Sequence, residues 1–176
     1  MRKAILSLVF AISTLVVFAE PASAEYPVAE SSAGLKTSAI TEQVDSREIT
    51  LRKFLESHNS PLAPYAKHFI QMADVYNIDW RFVPAVAGVE STFGKRIPKN
   101  SYNAYGWVNG AHRFGSWENS IEVVSKTIRE KYIDRGAVSL DKIARRYAPP
   151  SQTWALKVRY FMIKIEPFPV SFAKEG

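Results

Sequence analysis

The chain reads as a mainly α protein with one small β-hairpin lining a cleft. Three observations carry that reading. Apolar residues recur at helical spacing through most of the sequence after residue 45. Ser, Asp, Asn, Gly or Pro bounds each such stretch. A single Asn-Gly pair, Asn109-Gly110, supplies the hairpin signal.

The first residues follow a different pattern. Arg2 and Lys3 precede an almost unbroken apolar run, Ala4 to Phe18, and Pro21-Ala22-Ser23-Ala24 ends in an Ala-x-Ala site. A secretory signal peptide over 1–24, cut after Ala24, is expected. The apolar run is short for a spanning helix, which needs about 20 residues, so no stable membrane anchor is expected after cleavage. The product is expected in the periplasm, at the cell wall or outside the cell. Residues 25–44 are poor in large apolar side chains and carry Ser-Ser-Ala-Gly, which predicts a linker or flexible arm. The remaining chain, 45–176, suits one folded domain, expected to be monomeric.

From Asp45, Leu51, Phe54, Leu55 and His58 follow i, i+3, i+4, i+7 and predict a first helix, ended by Asn59-Ser60-Pro61. Pro64 lies near the start of a second, whose stripe is Ala66, Phe69, Ile70, Ala73 and Tyr76, with Asn77 closing it. Asp79 is an N-cap candidate for a third helix running to about Phe93, where Gly94 stops it. Pro84 requires that helix either to start late or to bend. Lys95 to Gly115 lacks a helical period, and Asn109-Gly110 predicts strands at Tyr105–Val108 and Ala111–Phe114. Ser116 caps a long helix with Ile121, Val124, Ile128 and Tyr132 on its buried face, ended by Gly136. Ser139 caps a short helix through Arg146. After Pro149-Pro150, Ser151 caps a last helix bearing Trp154, Val158, Phe161 and Ile165, stopped by Pro167 and Pro169.

Composition narrows the function. Removing residues 1–24 takes away Arg2, Lys3 and Glu20 and leaves a mildly basic chain of net charge +5. A basic exported protein is drawn to anionic lipid or acidic wall polymers. No Lys/Arg-rich run marks a nucleic-acid patch, so no nucleic-acid partner is expected. The absence of cysteine excludes a disulfide scaffold and lipid attachment. His58, His68 and His112 have no zinc spacing, and neither a phosphate-binding Gly loop nor a serine-nucleophile elbow is present. No metal or cofactor is expected.

The chemistry centres on Glu90. On the third helix it shares a face with Val83, Val86 and Phe93, among the small residues Ala85, Ala87 and Gly88. A carboxyl on an apolar face has its pKa raised by desolvation, and one kept protonated can act as a general acid. Alternatively, Glu90 borders the stripe and faces water. The following residues favour the first reading. Ser91 can orient Glu90 or a substrate acetamido group, or bond the backbone near the helix end. Tyr102, Asn103, Tyr105 and Trp107 form a loop able to stack on sugar rings and bond their polar groups, or else to cap the core with their rings.

Two stretches resemble the lysozyme-like lytic transglycosylases. Glu90-Ser91-Thr92-Phe93 matches their Glu-Ser-x-Phe motif, and Asn103 to Asn109 is similar to their Gly-Ala-x-Gly-Leu-Met-Gln stretch. Asn103, Trp107, Val108 and Asn109 depart from the latter. Arg146-Tyr147-Ala148 resembles the start of the family's Ala-Tyr-Asn-Ala-Gly segment, with Pro149-Pro150 replacing its end. The chain is also similar to the bacterial glucosaminidase branch of that superfamily. The resemblance, over about 62–165, implies a lysozyme-like fold and peptidoglycan or a related N-acetylhexosamine polymer as partner. It further implies Glu90 as catalytic acid/base and Tyr147 facing it. A transglycosylase needs no second carboxylate, because the muramic 6-hydroxyl attacks its own anomeric carbon. A hydrolase usually needs one. Glu118 is the foremost candidate, although at the start of a helix it also complements the dipole, as does Asp141. The alternative function is a non-catalytic glycan-binding module on the same scaffold; a further one is a helical domain that only binds a partner.

Overall fold

The computed structural model describes residues 44–167 and 169, all within one compact unit spanning 41–176. The expected signal peptide and nearly all of the linker lie outside the described residues. Six α-helices are present: α1 (Ser46–Ser57), α2 (Ala66–Val75), α3 (Phe82–Ser91), α4 (Trp117–Thr127), α5 (Leu140–Tyr147) and α6 (Trp154–Ile165). The described residues contain no strand. Among them, no helix is long and apolar enough to cross a membrane.

The caps explain most boundaries. Asp45 accepts the Arg47 N–H at 2.8 Å and starts α1. Pro64 sits in a 3₁₀ turn, Ala63–Tyr65, that leads into α2. Ser116 accepts the Asn119 N–H at 3.1 Å above α4, and Ser139 accepts the Lys142 N–H at 3.3 Å above α5. Ser151 reaches the Trp154 N–H at 3.1 Å at the start of α6. Each supplies an acceptor for a backbone donor that the first helical turn leaves unpaired.

α3 starts later and ends earlier than the apolar period suggests. Asp79 is occupied by Arg81, whose backbone N–H and guanidinium it accepts, and the helix begins at Phe82. Pro84 therefore falls in the first turn, where no intrahelical donor is lost. At the other end, Thr92 and Phe93 take left-handed backbone, φ +55° and +59°. The Phe93 N–H reaches back to the Ala87 carbonyl at 3.0 Å, closing the helix as a Schellman-type cap does. Phe93 is thus not on the helical face of Glu90. Its ring folds under the helix, 1% exposed, between Phe54, His58 and Phe161.

α3 is the central helix. Phe82 through Gly88 are all buried, and its most extensive partner is α6. Arg81, itself buried, ties the far end of α6 to the start of α3 by donating to the Glu166 and Pro169 carbonyls. The expected long fourth helix divides at Thr127, where a π-helical turn, Ile128–Ile133, takes over before Gly136. Such turns shift the side chains that follow them relative to an α-helix.

The expected β-hairpin does not form. Around Asn109-Gly110 the chain makes successive turns, with N–H groups of Gly110, Ala111 and His112 returning to carbonyls of Trp107 and Val108. Val108, Asn109 and Gly110 all have positive φ, whereas a two-residue hairpin needs only its two central residues there. The Asn103 side chain replaces the missing ladder. It donates to the Trp107 and His112 carbonyls at 2.9 and 3.1 Å and accepts the Trp107 N–H at 3.1 Å.

The close approach of α3 to its own cap needs Gly88. A Cβ there would lie 2.5 Å from Phe93 Cε1 and 3.1 Å from Phe161 Cδ2. Gly88→Ala gains about 1 kcal/mol of helix propensity, but overpacking a buried ring costs about 1–3 kcal/mol. Urea unfolding of Gly88→Ala should show a net loss of up to about 2 kcal/mol; a net gain would mean that Phe93 has room to move.

Candidate active site around Glu90

Glu90 occupies the last turn of α3, half-buried, where the helix emerges from the core. One carboxylate oxygen accepts the indole N–H of Trp154 at 2.7 Å. The other faces Gly106: a Cβ at that glycine, whose φ is +69°, would lie 3.0 Å from it. Gly106 is therefore required twice, for its backbone conformation and for the carboxylate against it. Burial raises the pKa of Glu90, and the Trp154 hydrogen bond, which favours the charged form, draws it part of the way back.

Trp154 is positioned by two rings. Phe82 of α3 meets it edge-on at 6.4 Å, and Tyr147 at the end of α5 stacks on it at 4.9 Å. Tyr147 in turn donates its hydroxyl to the Tyr105 carbonyl at 2.6 Å, which fixes the loop against α5. Burial first, and then the nearby charge of Glu90, hold the Tyr147 hydroxyl pKa well above its usual value. Four elements thus meet at one carboxyl: α3, the 103–110 loop, the end of α5 and the start of α6.

A groove of about 340 Å³ opens beside this cluster, lined by the 105–109 segment, Tyr132 and Tyr147. Tyr132 comes from the π-helical turn and meets Tyr147 edge-on at 6.4 Å. Among the described residues, no carboxylate lines the groove; Glu90 adjoins it through Gly106 and Tyr147. Left-handed backbone recurs along 100–109: Asn100, Tyr102, Val108 and Asn109 all have positive φ. Val108 is the costliest of these, being β-branched, and it is 70% exposed at the groove edge.

The expected contact residues divide into four groups. Trp107 and Tyr147 line the groove, and the Trp107 ring rests on His112 and Phe114. Ser91 and Asn103 are buried and committed to the backbone. The Ser91 hydroxyl lies 3.0 and 2.9 Å from the Ala87 and Ala104 carbonyls and accepts the Gly94 N–H, so it joins the end of α3 to the loop. Both residues shape the groove from behind and leave no polar atom facing a ligand. Tyr102 stands apart, packed edge-on against Trp117 at 5.4 Å.

Tyr105 lines the groove but is only 1% exposed, and its ring belongs to the core. Its hydroxyl has no hydrogen-bond partner among the described residues. Ser120 is near enough to temper the burial that raises the Tyr105 pKa, yet its hydroxyl, which donates to the Trp117 carbonyl at 2.7 Å, is not in hydrogen-bonding geometry with Tyr105.

Neither candidate second acid lines the groove. Glu118 sits in the exposed first turn of α4, where its own backbone N–H and then the Ser116 hydroxyl lower its pKa and keep it ionised. Asp141, exposed at the start of α5, lies 3.9 Å from Arg159. Among the described residues, no group of three His, Asp or Glu is placed to hold a metal ion. Sequence reasoning missed Trp154, Gly106 and Tyr132 as parts of the site. The usable signal for Trp154 was its indole N–H, a buried donor that needs an acceptor. No family model matches the chain, and no curated protein matches it in sequence.

Removing the stranded hydroxyl should help the fold. Tyr105→Phe keeps the ring and should raise the urea-unfolding free energy by about 0.5–1 kcal/mol. A loss of that size would mean that the hydroxyl is satisfied in solution.

Proposed function

We propose that this chain cleaves the glycan strand of peptidoglycan outside the cytoplasm, with Glu90 as the general acid. The observation that carries the reading is the half-buried Glu90 carboxyl, with a raised pKa, beside a groove walled by Trp107, Tyr132 and Tyr147. Splitting a glycosidic bond requires protonation of the leaving oxygen while positive charge develops on the sugar. A carboxyl held protonated to higher pH than usual can give that proton, and aromatic faces suit the apolar faces of sugar rings. The Glu-Ser-x-Phe resemblance at Glu90 and the expected signal peptide point to the same substrate, the strand of alternating N-acetylmuramic acid and N-acetylglucosamine.

The groove wall favours the intramolecular route. After Glu90 gives up its proton, it is the base that takes the proton of the muramic 6-hydroxyl as that oxygen attacks the anomeric carbon. This sequence needs no second carboxylate, and none of the described residues lining the groove is one. A hydrolase would have to recruit its second acid from elsewhere. The lysozyme-like arrangement of the helices belongs to the same proposal.

A second reading, a binding module without catalysis, is favoured by the Trp154 hydrogen bond, which stabilises the ionised form of Glu90. Mass spectrometry of fragments released from purified peptidoglycan separates the two. Mature protein should release fragments ending in 1,6-anhydro-muramic acid, and Glu90→Gln should release them at least about 100-fold more slowly while still binding the strand. Because the protonated carboxyl is the reactive form, the release rate should fall as pH rises through the Glu90 pKa. Reducing ends would mean hydrolysis. Binding without any release by the wild type would establish the module instead.

A further inference from the structure

We propose that Arg146 is the anion contact of this groove and selects N-acetylhexosamine strands that carry carboxylates over neutral ones. The inference rests on the glycan reading of the Glu90 site and adds to it the charge character of the substrate.

Arg146 is exposed in the last turn of α5, one residue before Tyr147 of the groove wall. Its guanidinium donates to the Tyr132 carbonyl at 3.1 Å and to the Arg135 carbonyl at 2.8 Å. Those two bonds fix a long, flexible side chain beside Tyr132, the other aromatic residue on that side of the groove. The charge is near enough to counteract, in part, the rise that burial imposes on the Tyr132 hydroxyl pKa. No carboxylate pairs with Arg146 among the described residues. Arg129 on the same π-helical turn differs, because Asp134 lies 2.8 Å from it.

An immobilised cation whose charge is uncompensated is ready for an anionic ligand, since the entropy of ordering it is already spent in the free protein. A guanidinium has five N–H donors in a planar fork, and the two backbone bonds leave others for a carboxylate. The surroundings agree. Between Arg129 and Arg146 the sequence carries six Lys or Arg against three Asp or Glu. The facing wall, 105–109, has no ionisable residue except the buried Tyr105. Arg146 is thus a cation that borders the groove at Tyr132, opposite a wall that carries no charge. The acid that adjoins the groove is Glu90, whose pKa is raised. A neutral N-acetylglucosamine polymer gains nothing from that asymmetry. A strand with a carboxylate on every second sugar, or on a peptide attached there, gains a charge-assisted hydrogen bond.

The alternative role of Arg146 is to cap the carbonyls at the end of the π-helical turn. Binding measurements on the Glu90→Gln protein, which holds the strand uncut, distinguish the two. The probes are peptide-free peptidoglycan strands with free lactyl carboxylates, strands still carrying their peptides, and neutral N-acetylglucosamine oligomers of matched length. One or both carboxylated probes should bind at least about tenfold tighter than the neutral one, and which of them does so identifies the carboxylate's source. Adding Arg146→Gln should remove that preference while leaving neutral binding within about twofold, and Arg146→Lys should restore part of it. If Arg146→Gln does not fold, Arg146→Lys carries the test: replacing the planar fork by one ammonium should reduce the preference for the carboxylated strand while neutral affinity holds, and an unchanged preference would overturn the proposal. Equal loss on all probes, or no loss, would leave Arg146 as a cap and overturn the proposal while the glycan reading stands. Failure of the Glu90→Gln protein to bind any of the three would overturn both.

Discussion

A hydrogen bond from the Trp154 indole to the Glu90 carboxylate joins the end of the central helix to the start of the last one. Most of the site follows from it. A carboxyl on an otherwise buried helix must find water, a proton or a donor, and Glu90 combines partial exposure with a neutral donor. A cation in that place would have held Glu90 ionised far below neutral pH. An indole N–H moderates the effect of burial without cancelling it, so the pKa stays raised. The same indole is stacked on Tyr147, which holds the 103–110 loop by its backbone. The acid, its donor and the groove wall are therefore one packed unit.

The loop opposite is held from inside. Ser91 and Asn103 bond only to backbone, and they let a segment with several left-handed residues keep one shape without strands. A ladder would have placed alternate side chains on opposite faces. Turns instead present Gly106, Trp107, Val108 and Asn109 together on one side, as the groove requires. The positive-φ residues are the energetic cost of that presentation, and buried polar side chains offset part of it.

The six helices were readable because their signals are local. Apolar spacing and the Asp45, Ser116, Ser139 and Ser151 caps depend on neighbours within a few residues. Glu90 was readable for the same reason, as a charge on an apolar stripe. The hairpin was misjudged because Asn109-Gly110 reports a tolerance for positive φ, which a run of turns uses as well as a hairpin does. Ser91 and Asn103 look alike in sequence whether they face a ligand or the backbone; the carbonyls they bond to lie up to thirteen positions away. Trp154 lies sixty-four positions from its acceptor, and only the packing of α3 on α6 brings them together. Tyr132 reaches the groove through a π-helical turn that no residue spacing announced.

The central claim is that burial keeps the Glu90 carboxyl protonated to higher pH than a free glutamate while Trp154 restrains the shift. Carbon-13 NMR titration of the Glu90 side-chain carboxyl, in wild type and in Trp154→Phe, measures both parts at once. The account predicts a wild-type midpoint above 4.5, the value for an unperturbed glutamate, and a still higher midpoint once the indole donor is removed. A wild-type midpoint at or below 4.5 would show that Glu90 behaves as an ordinary solvated carboxylate and would contradict its role as the acid.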